Sequence, residues 1–172
     1  MQDDYEIRAA RADELQVLQS IEDDAGRLYG SVGMPDDLPG LPAELLREGL
    51  AQGLLWVVAP RGRAAVGFAL CWIRGDAMHL RELDVHPAHG RRGLGARLLD
   101  HVAAQARERG CRRVTLTTFS EVPWNRPYYE RHGFECMAEA KLPVWLAAER
   151  EHEVRQGLDR WQRVAMQRVL GG

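Results

Sequence analysis

Residues able to do chemistry crowd into one stretch, from Glu82 to Phe134: ELDVHPAHGRRGLGARLLDHVAAQARERGCRRVTLTTFSEVPWNRPYYERHGF. Gly93-Leu94-Gly95-Ala96 opens a long amphipathic segment, with Arg91 and Arg92 directly before it. The N–H groups that begin a helix have no partner within it, and small residues let a phosphate approach the backbone. The same residues also suit a plain helix-capping turn, and Arg91 and Arg92 also suit a solvated surface. Farther on, Asn125, Tyr128 and Tyr129 share a short helical segment closed by Gly133. Upstream, Glu82 and Asp84 share one parity of a strand, where a half-buried carboxylate is costly unless used or paired. This order points to an enzyme that binds a phosphorylated carrier.

Other phosphate-binding patterns do not fit. No Gly-Lys-Ser/Thr follows the turn, so it is not a Walker A loop. The run Gly90 to Gly95 (GRRGLG) lacks G-x-G-x-x-G spacing, and no acid ends a following strand, so it is not a dinucleotide fingerprint.

The elements around these residues are readable from periodicity. Residues 5–9 alternate weakly as a first strand. Asp13 reads as an N-cap with Gln16 as its reciprocal partner. Leu15, Leu18, Ile21, Ala25 and Leu28 then make one helical face. Residues 30–42 carry Gly30, Gly33, Pro35, Pro39, Gly40 and Pro42 and must be a loop or a broken helix. Residues 42–52 are a short helix ended by Gly53.

Residues 54–59 (LLWVVA), 65–73 (AVGFALCWI) and 78–85 form an antiparallel meander. The first two are apolar on both parities, so both of their faces are covered. The order then becomes strand, helix, strand. Residues 93–109 are a helix with Leu94, Leu98, Leu99, Val102, Ala103 and Ala106 on one face. Residues 113–118 form a strand parallel to the one ending at Val85. A helix over 125–132, a strand over 134–142, a helix over 143–156 and a last strand over 163–170 complete the chain. The fold class is α/β with a mixed sheet, in one domain spanning 1–172.

Composition bounds the function. The chain has 172 residues, 45% apolar and 28% charged, with a net charge of −2. That is ordinary globular composition with no basic footprint for nucleic acid. No stretch approaches the ~20 apolar residues of a membrane span, and MQDDYEIRAARADE does not read as a signal peptide. Cys71, Cys111 and Cys136 form no C-x-x-C pair. They read as small buried apolar residues in a reducing, cytoplasmic compartment, with neither a disulfide framework nor a metal site.

Taken together, Val85-His86-Pro87, the Gly93-x-Gly95 turn and Asn125-x-x-x-Tyr129-x-x-x-Gly133-Phe134 resemble the GCN5-related N-acetyltransferase (GNAT) superfamily over nearly the whole chain. The segment Val122-Pro123-Trp124-Asn125-Arg126-Pro127 looks like a bacterial subgroup of small-molecule acetyltransferases. The resemblance implies a splayed parallel strand pair at the centre of the sheet and acetyl-CoA as co-substrate. Its pyrophosphate would sit on the Gln/Arg-x-x-Gly-x-Gly/Ala turn, here Gly93, Gly95 and Ala96 with Arg91 and Arg92. Gly90 departs from the Gln or Arg of that pattern, and Arg91 stands one place on. The strand edge at Leu83 and Val85 would grip the pantetheine amides, with Asn125 near the same arm and a Val85 N–H facing the oxyanion.

The resemblance makes Tyr129 the general acid for the departing thiolate; otherwise it reads as an aromatic packed beside Tyr128. Glu82 is the first candidate for general base, with His79 and Glu22 as alternatives and water relays or an already neutral amine as replacements. Tyr29, Met34, Trp72, Trp124 and Trp145 are candidates for lining an acceptor pocket. Glu22, Asp23, Asp24, Asp36 and Asp37 either draw a cationic amine or serve as solubilising surface. The expected reaction is acetyl transfer to a small-molecule primary amine. A protein or peptide N-acetyltransferase and a non-catalytic acyl-CoA-binding module are the alternatives. The last strand, read as an exposed edge, offers a surface for a homodimer.

Overall fold

The computed structural model describes residues 4–35 and 37–171, so Asp36 lies outside the described residues. The chain runs β1 (Tyr5–Ala9), α1 (Leu15–Gly26), α2 (Ala43–Gln52), β2 (Leu55–Pro60), β3 (Gly67–Arg74), β4 (Ala77–Val85), α3 (Leu94–Glu108), β5 (Arg113–Phe119), α4 (Arg126–Arg131), β6 (Glu135–Met137), α5 (Val144–Arg155) and β7 (Arg163–Val169). The strands hydrogen-bond in the order β1-β2-β3-β4-β5-β7-β6, a mixed sheet accompanied by helices. Two compact units divide the chain. One comprises residues up to Trp72 together with Leu80–Gln105, the other Ile73–His79 together with residues from Ala106 on.

In the first unit, β1 pairs antiparallel with β2 from Tyr5↔Pro60 to Ala9↔Trp56, and β2 with β3 from Leu55↔Leu70 to Val58↔Gly67. Residues of both parities in β2 are buried, as its apolar run requires. Leu18 and Ile21 of α1 and Leu46 of α2 close over Leu55, Val57, Phe68 and Leu70 to make the core. The apolar stripe of α3 is buried from Leu94 to Ala106.

The start of α1 differs from expectation. A 3-10 turn over Ala12–Glu14 precedes it, and Glu14, not Gln16, closes the cap. Its buried carboxylate accepts from the Arg11 backbone N–H at 2.9 Å and from the two terminal guanidinium nitrogens of Arg8 at 2.9 and 2.6 Å. The Arg8 hydrogen bond holds the Glu14 carboxyl below its ordinary range. An ion-paired acid excluded from water outcompetes the exposed Asp13. At the other end, the helix tightens to a 3-10 turn at Arg27–Val32, which swings Leu28 off the apolar face and leaves it 45% exposed.

In the second unit, β4 and β5 are parallel from Ala77↔Arg113 to His79↔Thr115. β7 is not an edge strand. It pairs with β5 from Arg113↔Val169 to Phe119↔Arg163 and with β6 at Glu135↔Gln167 through Met137↔Ala165. Its hydrogen-bonding groups are therefore engaged on both sides, so it does not offer the dimer edge expected of it. β6 is also shorter than predicted. It stops at Met137, and the exposed, charged Glu139–Lys141 curls into a 3-10 turn before Pro143. Cys136 is exposed on this strand, whereas Cys71 and Cys111 are buried.

The end of β5, β7 and α5 are held by ions. Glu153 of α5 accepts from Arg150 at 2.6 Å, from Arg163 at 3.2 Å and from the Thr117 hydroxyl. Burial raises the Glu153 carboxyl, but Arg163, Thr117 and Arg150 overcome it and hold it below its usual range. Glu153→Gln strips the charge that faces Arg163, only 11% exposed, and Arg150, only 16% exposed, of which Arg150 keeps its ion pair with Glu139. The expected cost at pH 7 is about 3 kcal/mol. Because the folded pKa is depressed, this stabilisation is complete above the unfolded value of about 4.3 and is lost as pH falls through the folded one. Urea unfolding of both proteins from pH 7 to pH 3 checks this: the gap between them should close at the acid end.

Candidate active site

The phosphate-type turn lies in the first unit and is built by β4 and α3. After Val85 the chain makes a 3-10 turn, Pro87–His89, capped by His86. Gly90 then has φ −63°, Arg91 φ +60° and Gly93 φ +72°. A Cβ on Gly90 would lie 3.2 Å from the Pro87 carbonyl, which gives the departure at this position a local cause. The side chain falls instead on Arg91, the one non-glycine residue with positive φ among those described, at a cost of about 1 kcal/mol.

Helical bonding begins at Arg97 N–H to Gly93 C=O, 3.1 Å, so the N–H groups of Leu94, Gly95 and Ala96 precede the first bond. A Cβ on Gly93 would meet no atom within 4 Å. Arg91 and Arg92 are exposed, whereas the Arg97 guanidinium donates to the Tyr5 carbonyl at 3.1 Å. The Tyr5 hydroxyl and His89 Nδ1 lie 2.8 Å apart and tie the turn to β1. Backbone donors at a helix start, two exposed cations and an open glycine fit the pyrophosphate of a nucleotide carrier.

Strand alternation assigns the backbone before the turn. His86 N–H donates to Val66 C=O at 2.7 Å, so the backbone groups of residues 82, 84 and 86 turn toward β3 and those of Leu83 and Val85 turn away. Gly67 permits the close approach of these strands: a Cβ there would sit 2.9 Å from the Asp84 carbonyl and from Val58 Cγ1.

The same alternation lines up the side chains of Glu82, Asp84 and His86, and α1 brings Glu22 and Asp24 to them. His86 Nε2 lies 3.2 Å from Asp24 Oδ2, while its Nδ1 accepts from the Ala88 N–H at 3.1 Å. The assigned tautomer therefore carries its proton on Nε2, toward Asp24. Burial and then the Glu82 charge push the Glu22 carboxyl up to about 7. Burial, then Glu82, raise Asp84 well above its ordinary value, and its side chain shares a hydrogen bond with Glu82. From the sequence, Glu82 and Glu22 are separate candidates for the base, and Asp84 is only a residue on the same strand parity as Glu82. The parity that turned Glu82 inward was the available signal.

The second unit carries the other named residues. Asn125 directly precedes α4, and Tyr129 lies one turn on, its N–H donating to the Asn125 carbonyl at 3.0 Å. Both are buried. The Tyr129 ring meets Tyr128 and Phe134 edge-on at 5.4 and 5.6 Å, and Tyr128 packs against His132 at 4.5 Å. His79 is 2% exposed, with Nδ1 2.9 Å from the Thr115 hydroxyl and its ring against Trp145. That is the environment of a satisfied core histidine. Among the other aromatic candidates, Trp72 is buried beneath the Arg81 guanidinium, and Tyr29 and Trp124 are half-buried.

The fold is shared with crystal structures of acetyltransferases. N-acetylglutamate synthase from Neisseria gonorrhoeae, complexed with coenzyme A and N-acetyl-glutamate, superposes with a TM-score of 0.72 at 20% identity. The match covers 98% of this chain and 35% of that one, so this chain spans about a third of that synthase. PaiA N-acetyltransferase from Thermoplasma acidophilum, in complex with coenzyme A, matches at 0.71 and 13% identity, over 96% of this chain and 98% of that one. The ribosomal-protein-S18-alanine N-acetyltransferase of Escherichia coli matches at 0.71 and 18%, over 98% and 95%. The family model for Acetyltransferase (GNAT) family matches residues 14–134, which span both the turn and the Asn125–Tyr129 helix. With its turn, strand edge and tyrosine helix in that match, the chain belongs to the acetyltransferase (GNAT) family.

Proposed function

We propose that the protein transfers the acetyl group of acetyl-CoA directly to a primary amine of a small molecule. The observation that carries this reading is the turn at the start of α3. It combines unbonded N–H groups at Leu94, Gly95 and Ala96, an open Gly93 and exposed Arg91 and Arg92, directly after a strand whose Leu83 and Val85 backbone groups face away from β3.

Acetyl-CoA supplies an activated thioester when bound. Leu83 and Val85 hold the pantetheine amides in the manner of an added strand, and Asn125 is the residue we assign to the same arm from the family pattern it matches. A Val85 N–H donates to the oxygen that gains charge as the amine nitrogen bonds to the carbonyl carbon. Glu82 takes the proton the amine sheds. Tyr129 gives its phenolic proton to the sulfur as the C–S bond breaks.

The loop before α2 favours a small acceptor over a peptide. The Leu41 backbone hydrogen-bonds to the Glu22 carboxylate, and Gly40 lies against it, 3.7 Å from Glu22 Oε2 to an added Cβ. A loop pinned over the acids leaves less room for an extended chain. No described helix is long and apolar enough to cross a membrane.

The test is calorimetric titration with acetyl-CoA, followed by thiol release from acetyl-CoA across a panel of amines. Binding with amine-dependent thiol release is the expected result. Binding without transfer to any amine would make the chain an acyl-CoA-binding module, and no binding would overturn the reading.

A further inference from the structure

Tyr5 on β1 touches the turn over residues 90–96 at both of its ends. Its hydroxyl lies 2.8 Å from Nδ1 of His89, the residue directly before Gly90. Its carbonyl accepts from the guanidinium of Arg97, the residue directly after Ala96, at 3.1 Å. Strand alternation makes that carbonyl available. The Arg61 N–H donates to the Asp4 carbonyl and the Ala10 N–H to the Leu55 carbonyl, so residues of even number bond toward β2 and the backbone groups of Tyr5 point off the open edge of the sheet. The Tyr5 ring is buried and meets the His89 ring edge-on at 5.9 Å.

The segment bracketed in this way has little else to hold it. Gly90, Arg91, Arg92 and Gly93 are all exposed. Arg91 sits at φ +60°, a conformation that disfavours a residue with a side chain, so the turn is strained on its own. The bonds of the preceding 3-10 turn run only to the Gly90 N–H, which donates to the Pro87 carbonyl at 3.1 Å, and helical bonding resumes at Arg97. Burial, then Arg92 and His86, hold the His89 ring below its ordinary pKa, so it is neutral at pH 7. A phenol both donates and accepts, so its bond to Nδ1 closes with either neutral tautomer.

We propose that Tyr5 and His89 are positioning residues for the carrier turn: their hydrogen bond, with the Arg97 bond behind it, holds residues 90–96 in the arrangement that presents the Leu94, Gly95 and Ala96 N–H groups to a pyrophosphate. Without that bond the turn spends part of its time in other arrangements, and affinity falls by the fraction lost. The identity of the ligand rests on the acetyl-transfer reading, whereas the state of the turn is readable in the free chain.

The test removes the bond from each side, by Tyr5→Phe and by His89→Phe. In the free chain, trypsin should cut after Arg91 and Arg92 about fivefold faster in Tyr5→Phe than in the parent, with cutting after the exposed Arg160 unchanged. In calorimetry, Tyr5→Phe should bind acetyl-CoA about fivefold more weakly, the scale of one hydrogen bond. The KM for acetyl-CoA should rise by the same factor with kcat within about twofold, because saturating carrier restores the turn. His89→Phe keeps a ring against Tyr5 and stands in should Tyr5→Phe not fold. It should match Tyr5→Phe, and the double variant should be no weaker than either. Unchanged cleavage after Arg91 and Arg92, unchanged affinity in a chain whose parent binds acetyl-CoA, or additive losses in the double variant would each overturn the proposal. A parent that binds no acetyl-CoA, with cleavage at the turn still faster in Tyr5→Phe, would sink the acetyl-transfer reading and leave the clamp standing.

Discussion

Replacing Tyr129 by Phe is expected to lower kcat about 100-fold while leaving acetyl-CoA affinity unchanged. The substitution keeps the ring, which is held edge-on by Tyr128 and Phe134, and removes only the hydroxyl. General acids contribute about 10²–10⁴ in rate, and the low end applies here. A phenol with a pKa near 10 donates to a thiolate whose acid has a pKa near 8.5, so the complete proton transfer is slightly uphill and the gain is confined to the stage at which charge builds on sulfur. Tyr128→Phe is the internal control. Tyr128 packs on His132 and beneath Arg131, so its change should leave kcat within about twofold. Steady-state thiol release with calorimetric titration of acetyl-CoA separates the two effects. A Tyr129→Phe enzyme with kcat close to that of the parent would remove the phenol from the chemistry.

The readable parts of this chain are those where one periodicity acts alone. The β2 and β3 runs are apolar on both parities and are buried on both faces. The stripe from Leu94 to Ala106 is buried along its length. The Gly93 turn and the Asn125–Tyr129 spacing are local patterns, so their backbone form was predictable. What escaped was decided by tertiary partners. Glu14 outdid Asp13 as the cap because Arg8, on a different element, pairs with it. β7 lost its expected edge because the three-residue β6 folds back onto it, a pairing that no local pattern in residues 163–170 announces.

The acid cluster shows the same limit at the site. Glu82 and Asp84 could be placed on one face of their strand from alternation alone. That the Glu22 charge acts on Asp84, and that Asp84 is the enclosed member with an unmet oxygen, depends on tertiary placement. Charge count could not distinguish this from solubilising surface, since Asp23 is exposed one residue from Glu22. Only enclosure turns a run of acids into a group of coupled ones.

Gly93→Val should cost at least about 100-fold in acetyl-CoA affinity, with a loss of stability of only about 2 kcal/mol. The two effects have different origins. Gly93 sits at φ +72°, a conformation in which a β-branched residue is strained, and this sets the stability cost. A Cβ there meets no protein atom within 4 Å, so the fold itself has room for the side chain. The space it would fill lies at the start of α3, where the N–H groups of Leu94, Gly95 and Ala96 must reach a pyrophosphate. Gly93→Ala should fall between parent and Val in both readouts. Arg91→Gly removes a charge and a strained φ of +60° together, so it should weaken binding by less than about tenfold, flatten its salt dependence and leave stability the same or higher. Thermal unfolding confirms that each variant is folded before titration. Unchanged affinity in folded Gly93→Val would place the carrier's phosphates somewhere other than this turn.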